Sequence, residues 1–125
     1  MLTNKERYQI RRPQMLAQKR AYYHAHPARH KENVLAWRTL NKEAAINVLT
    51  NGEGTCRWCG QGDIDVLCFD HVNQDGAAHR KQVGNSSMAW WLIQHDYPEG
   101  FQVLCYNCNI KKHILYGREK SRHAA

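Results

Sequence analysis

The chain has 125 residues, enough for one domain with a single modest core. Its formal charge of +7 lies entirely in residues 1–50, where ten Lys/Arg face three Glu, while residues 51–125 carry eight of each sign. A basic arm beside a neutral domain points to a polyanionic partner, nucleic acid before membrane, because no run approaches the ~18 apolar residues of a spanning helix. The opening "MLTNKERYQI" has no apolar signal core, so the expected compartment is a reducing cytoplasm, where paired cysteines are more often metal ligands than disulfides.

Residues 1–50 read as a helical arm. "QMLAQKRAYYHA", 14–25, lies between Pro13 and Pro27, and "ARHKENVLAWRTLNKEAAINVL" continues in good helix formers. Two readings of the arm stand side by side. One is a basic element tracking DNA phosphates through Arg11, Arg12, Lys19, Arg20, Arg29, Lys31 and Arg38; the other is a solvated helix pair whose aromatics dock on the globular part. "TNGEGTC", 50–56, is a turn-rich hinge and the natural boundary of a domain over residues 51–117.

That domain opens with a Cys-x-x-Cys knuckle, "CRWCGQGD". "IDVLCF", 64–69, is β-rich and suits a strand ending at Asp70-His71, followed by a loop through "GAAHRK". "SSMAWWLIQHD" is a short helix begun at a Ser cap and stopped by Pro98 and Gly100, with Trp90 and Trp91 read as core before nucleic-acid stacking. "FQVLC" is a second strand and "YNCNIKKHILYG" a helix closed by Gly117, which leaves residues 118–125 as a frayed tail. The order is strand, loop with inserted helix, strand, helix, an α+β arrangement.

Cys56, Cys59, Cys105 and Cys108 suit a four-thiolate tetrahedral site, closed and so structural, with zinc as the metal; disulfides or a redox Cys-x-x-Cys are the alternative. Cys68, inside an apolar strand, reads as a packing thiol. A metal knuckle joining the first strand to the last helix brings Asp70 and His71 near the first turn of that helix, where Asn109 lies. Asp70 and Asn109 offer two hard oxygens of the kind a magnesium-type ion accepts. His71, one residue further along the strand, points to the opposite face and can act as a base without ligating the ion. His79 and Arg80 either grip a phosphate or decorate a solvated loop. Lys112 and His113, three and four residues after Asn109, share its helical face and reach towards the metal or the leaving oxygen.

"FDHVNQDG" followed by "VLCYNCN" resembles the HNH (His-Me finger) endonuclease superfamily, in the four-cysteine zinc form of phage recombination endonucleases, over about residues 54–116. The resemblance implies a zinc-stapled ββα-metal domain with His71 as general base, Asp70 and Asn109 holding a catalytic Mg2+ or Mn2+, and the four cysteines holding structural Zn2+. It also implies cleavage of a phosphodiester to leave a 5′-phosphate and a 3′-hydroxyl. The partner expected from the chain is DNA, double-stranded in the first instance, and both a monomer and a homodimer stay open. The final His of the family pattern is Asn109 here, which matches the Asp-His-Asn variant. Gly100 stands where many members carry the middle Asn, so another group must orient His71: a main-chain carbonyl, or Gln102. The rival class is a non-catalytic zinc-containing nucleic-acid-binding module.

Overall fold

Thr3 caps the first helix reciprocally: its hydroxyl accepts the Glu6 N–H while the Glu6 carboxylate accepts the Thr3 N–H. In the computed structural model, which describes residues 1–84 and 87–124, this helix, α1, spans Asn4–Ala25, and α2 spans Pro27–Leu49. α1 therefore runs through Pro13 instead of starting after it. The capping box fixes a turn upstream, and the φ of proline is itself helical, so the chain forfeits a backbone bond without having to leave the helix. Tyr22 and Tyr23 find partners within the arm, Tyr22 stacking on His26 and Tyr23 lying against His30 with centroids 4.5 and 4.2 Å apart. The chain divides into two compact units, Met1–Trp37 and Arg38–Ala125.

In the second unit the last turns of α2 bury Ala45 and Ile46. Thr50 closes that helix, its hydroxyl donating to the Ile46 carbonyl at 2.7 Å and accepting the Gly54 N–H at 2.8 Å. Ile46 joins Cys56, Leu67, Val103, Leu104 and Cys105 in the core. The sheet, among the described residues, is an antiparallel pair: β1, Leu67–His71, against β2, Phe101–Cys105. Leu67 pairs with Cys105 at one end, and Asp70 with Gln102 and His71 with Phe101 at the other. Side chains alternate across such a pair, so His71, Phe69, Phe101 and Val103 share one face, and Asp70, Cys68, Gln102 and Leu104 the other.

Besides α1, three elements differ from the sequence expectation. Ile64–Val66 is a 3-10 turn before the strand, because the Asp63 carboxylate accepts the Asp65 N–H at 3.0 Å and offers the backbone a local bond in place of a ladder. "GAAHRKQV" is a helix, α3, Gly76–Val83, where a loop was expected; its buried face is His79. α4, Met88–Gln94, follows with Ser87 as its cap; Ser86 of the expected cap lies outside the described residues. The last helix, α5, spans Tyr106–His123 and passes through Gly117, so residues 118–123 continue it. Nothing crowds Gly117 and no partner strand competes there, so a glycine alone does not stop an exposed helix. Among the described residues no helix is long and apolar enough to cross a membrane.

Candidate metal centre and catalytic site

The cysteines assemble because two tight turns meet at one end of the hairpin. Cys56 N–H donates to Gln61 O at 2.8 Å and Gly60 N–H to Cys56 O at 2.9 Å, closing the first knuckle, while Arg57 N–H donates to Val103 O at 3.0 Å and fastens it to β2. Cys105 ends β2 and caps α5, its sulfur accepting the Cys108 N–H at 3.4 Å. The four Sγ atoms lie within 4.8 Å of one another, and Cys59 and Cys105 are 3.6 Å apart. A tetrahedral zinc thiolate has sulfur–sulfur edges of ~3.8 Å, whereas a disulfide needs ~2.05 Å; all five cysteines are free. The cluster can therefore hold a metal ion such as zinc. Electrostatics point the same way. Burial opposes ionisation of Cys56, but backbone N–H groups of Cys105, Cys59 and Trp58 outweigh it and bring that thiol down to about 6. Burial and the surrounding sulfurs push Cys108 up to about 12. Four thiolates at this spacing need a cation among them. Cys68 stands apart, its thiol donating to the Leu104 carbonyl at 3.2 Å.

The other end of the hairpin carries the polar site. α5 begins beside Leu67 and runs back along the strands, since Lys112 Nζ donates to Asp70 Oδ2 at 2.5 Å and to the His71 carbonyl at 2.6 Å. Asn109 lies three residues earlier on that helix, on the same face as Lys112. Asp70 is 5% exposed, and its Oδ2 also accepts from Gln102 Nε2 at 2.8 Å. Gln102 therefore holds the carboxylate and not His71. Asn109 Oδ1 is buried with no hydrogen-bond partner among the described residues. Asn109 thus carries a hard amide oxygen one helical turn before Lys112, the cation lodged at Asp70.

His71 lies on the opposite face, packed against Phe101 with centroids 4.9 Å apart. Its Nε2 is 2.8 Å from Nδ1 of His79, the buried imidazole of α3, while the Gln102 amide is engaged by Asp70 instead. Burial first, then the neighbouring His79, hold His71 below the usual histidine range against the pull of Asp75 and Asp70, which keeps it neutral at neutral pH. Gly100 has φ of 101°, a conformation side chains disfavour, and its carbonyl accepts the Val72 N–H at 2.9 Å. The turn into β2 thus demands glycine where an asparagine was looked for.

Arg80 is exposed and lines a cleft of about 560 Å³ with Arg38, Lys42, His71, Phe69 and Tyr106. Among the described residues, three cations and no carboxylate line it. His113 is exposed on α5. Arg11, Arg12, Lys19, Arg20, Arg29 and Lys31 are exposed on the helices of the first unit. Trp91 is half-buried between His79 and His95, with centroids 4.1 Å from each. Sequence reasoning missed Gln102 as the support of Asp70, Lys42 and Tyr106 beside the cleft, and Gly76 against His71. Only strand register could have found the first, since Gln102 lies opposite Asp70 in the ladder. Set against protein-family models, curated proteins and solved structures, the chain matches none of them.

Proposed function

We propose that the chain is a metal-dependent HNH-type endonuclease that hydrolyses DNA phosphodiesters, its ββα-metal domain held by a structural zinc on Cys56, Cys59, Cys105 and Cys108. The observation that carries this reading is Asn109 Oδ1, a buried oxygen without a partner on the helix whose Lys112 grips Asp70. Native proteins rarely leave such an atom unpaired, and a catalytic site is one of the few reasons to do so. Mg2+ or Mn2+ on Asp70 and Asn109 would supply charge stabilisation at the scissile phosphate and the leaving oxygen. His71, neutral and next in sequence, takes a proton from the attacking water as the new O–P bond forms and the bond to the 3′ oxygen breaks. The leaving oxygen gains a proton from solvent, giving a 5′-phosphate and a 3′-hydroxyl. General-base catalysis of this kind contributes about 10² to 10⁴ in rate. Arg38, Lys42 and Arg80 receive backbone phosphates in the cleft beside His71, and the exposed cations of α1 and α2 add a sequence-independent attraction.

The non-catalytic zinc module has one observation in its favour: Lys112 already neutralises Asp70 as a structural ion pair would. Plasmid nicking with Mg2+, Mn2+ and EDTA separates the two readings. Metal-dependent nicking that His71→Ala abolishes supports the nuclease. No cleavage of duplex, single-stranded or branched DNA by the zinc-loaded chain leaves the binding module as the better account.

A further inference from the structure

His71 and His79 meet nitrogen to nitrogen at 2.8 Å, a contact that needs one proton and one lone pair, so each ring fixes the tautomer of the other. The direction of the bond follows from what surrounds the remaining nitrogens. His71 Nδ1 faces Gly76, the first residue of α3, and a Cβ built on Gly76 would lie 3.2 Å from it. The cap residue of α3, Asp75, makes no side-chain bond to the first turn. Uncapped N–H groups of that turn carry partial positive charge, which favours a lone pair on Nδ1 and the proton on Nε2, and acts against the pull of the Asp75 carboxylate on the ring. His79 is 9% exposed and wedged between Trp91, perpendicular at 82° with centroids 4.1 Å apart, and Phe101 at 5.2 Å. Its own Nε2 has no hydrogen-bond partner among the described residues. A perpendicular indole is the arrangement in which a ring N–H can meet a π face.

We infer that His79 is the positioning residue of His71: its Nδ1 accepts the Nε2 proton of His71 and leaves His71 Nδ1 bare, facing the space that Gly76 keeps open, to take the proton of the attacking water. The inference rests on the reading of His71 as general base, and it fills the place that Gly100 and Gln102 leave empty. Nothing in the role requires His79 to touch substrate.

Long-range 1H–15N spectra of the full zinc-loaded chain, taken well above the imidazole titration range, report the tautomer without reference to activity. The expected wild-type result is His71 in one tautomer with the proton on Nε2. His79→Ala and His79→Phe should both give a mixture, and nicking kcat should fall on the order of 10- to 100-fold with KM little changed, as for other lost orienting partners. His79→Asn, whose amide oxygen can stand near the position of Nδ1, should restore most of both. His71 protonated on Nδ1 in the wild type overturns the inference, as does a His79→Phe protein with the wild-type tautomer and kcat, which would make the role one of packing. A wild-type chain that nicks nothing sinks the nuclease reading, while the spectra still decide the direction of the bond.

Discussion

Stripping the metal from the cysteine cluster should unfold the unit Arg38–Ala125. Among the described residues, two of the nine buried apolar side chains, Cys56 and Cys105, are members of the cluster, and the paired strands are five residues each. A unit of roughly ninety residues has a total stability of about 4–13 kcal/mol, whereas a structural zinc contributes ~10–16 kcal/mol in small zinc peptides. Loss of the ion therefore matches or exceeds the whole stability. It also leaves a set of sulfurs that cannot ionise together, Cys56 near 6 and Cys108 near 12. Near-ultraviolet circular dichroism and the emission of Trp58, Trp90 and Trp91 should collapse on chelation, and in Cys56→Ser or Cys105→Ser, while some far-ultraviolet helix signal persists. Cys68→Ser is the control. It disturbs one hydrogen bond of about 1 kcal/mol, which lowers Tm by roughly 4–8 °C. A Cys105→Ser protein with its tertiary signal and Tm intact would refute the reasoning.

Four further outcomes are expected. His71→Ala should keep zinc content and DNA affinity yet lose at least ~10² in nicking at every metal concentration, whereas part of the Asp70→Ala loss should return at high Mg2+; identical responses of the two variants to metal would contradict their separate roles. Gly76→Ala should fold at least as well as wild type, because alanine favours helix, and yet cut more slowly, because the methyl group would stand 3.2 Å from His71 Nδ1; unchanged nicking rates would remove Gly76 from the site. Lys112→Met leaves a carboxylate that is 5% exposed with Gln102 as its remaining named partner, so urea titration should show a loss of about 3–5 kcal/mol, smaller when Mg2+ is present. Replacing Arg11, Arg12, Lys19 and Arg20 with Ala should weaken binding equally on all DNA sequences and flatten the salt slope by about one unit for each phosphate no longer neutralised, read by fluorescence anisotropy at several ionic strengths.

What the sequence disclosed was local chemistry. The Cys-x-x-Cys knuckles, the Ser87 cap and the apolar run of β2 are legible because each depends on residues a few positions apart. α3 was hidden because "GAAHRKQV" has no apolar stripe and its one buried side chain is a histidine, so its periodicity is that of a polar loop. The His71–His79 and Asp70–Gln102 bonds depend on where a helix docks and on strand register, neither of which is written in the spacing of the residues themselves. The end of α5 shows the opposite failure: Gly117 is a stop signal that an unopposed helix ignores.

α5 carries Cys105 at its cap, Cys108 and Asn109 side by side, and Lys112 one turn on, so a single helix start serves the sulfur cluster and the oxygen site together. Because each residue turns the helix by about 100°, inserting one residue between Cys108 and Asn109 would leave every thiolate in place while swinging Asn109 and Lys112 off the line to Asp70. The phase between the two centres is thus set by the helix itself: an inserted residue would keep all four cysteines, Asn109 and Lys112 in the chain and still part the last two from Asp70.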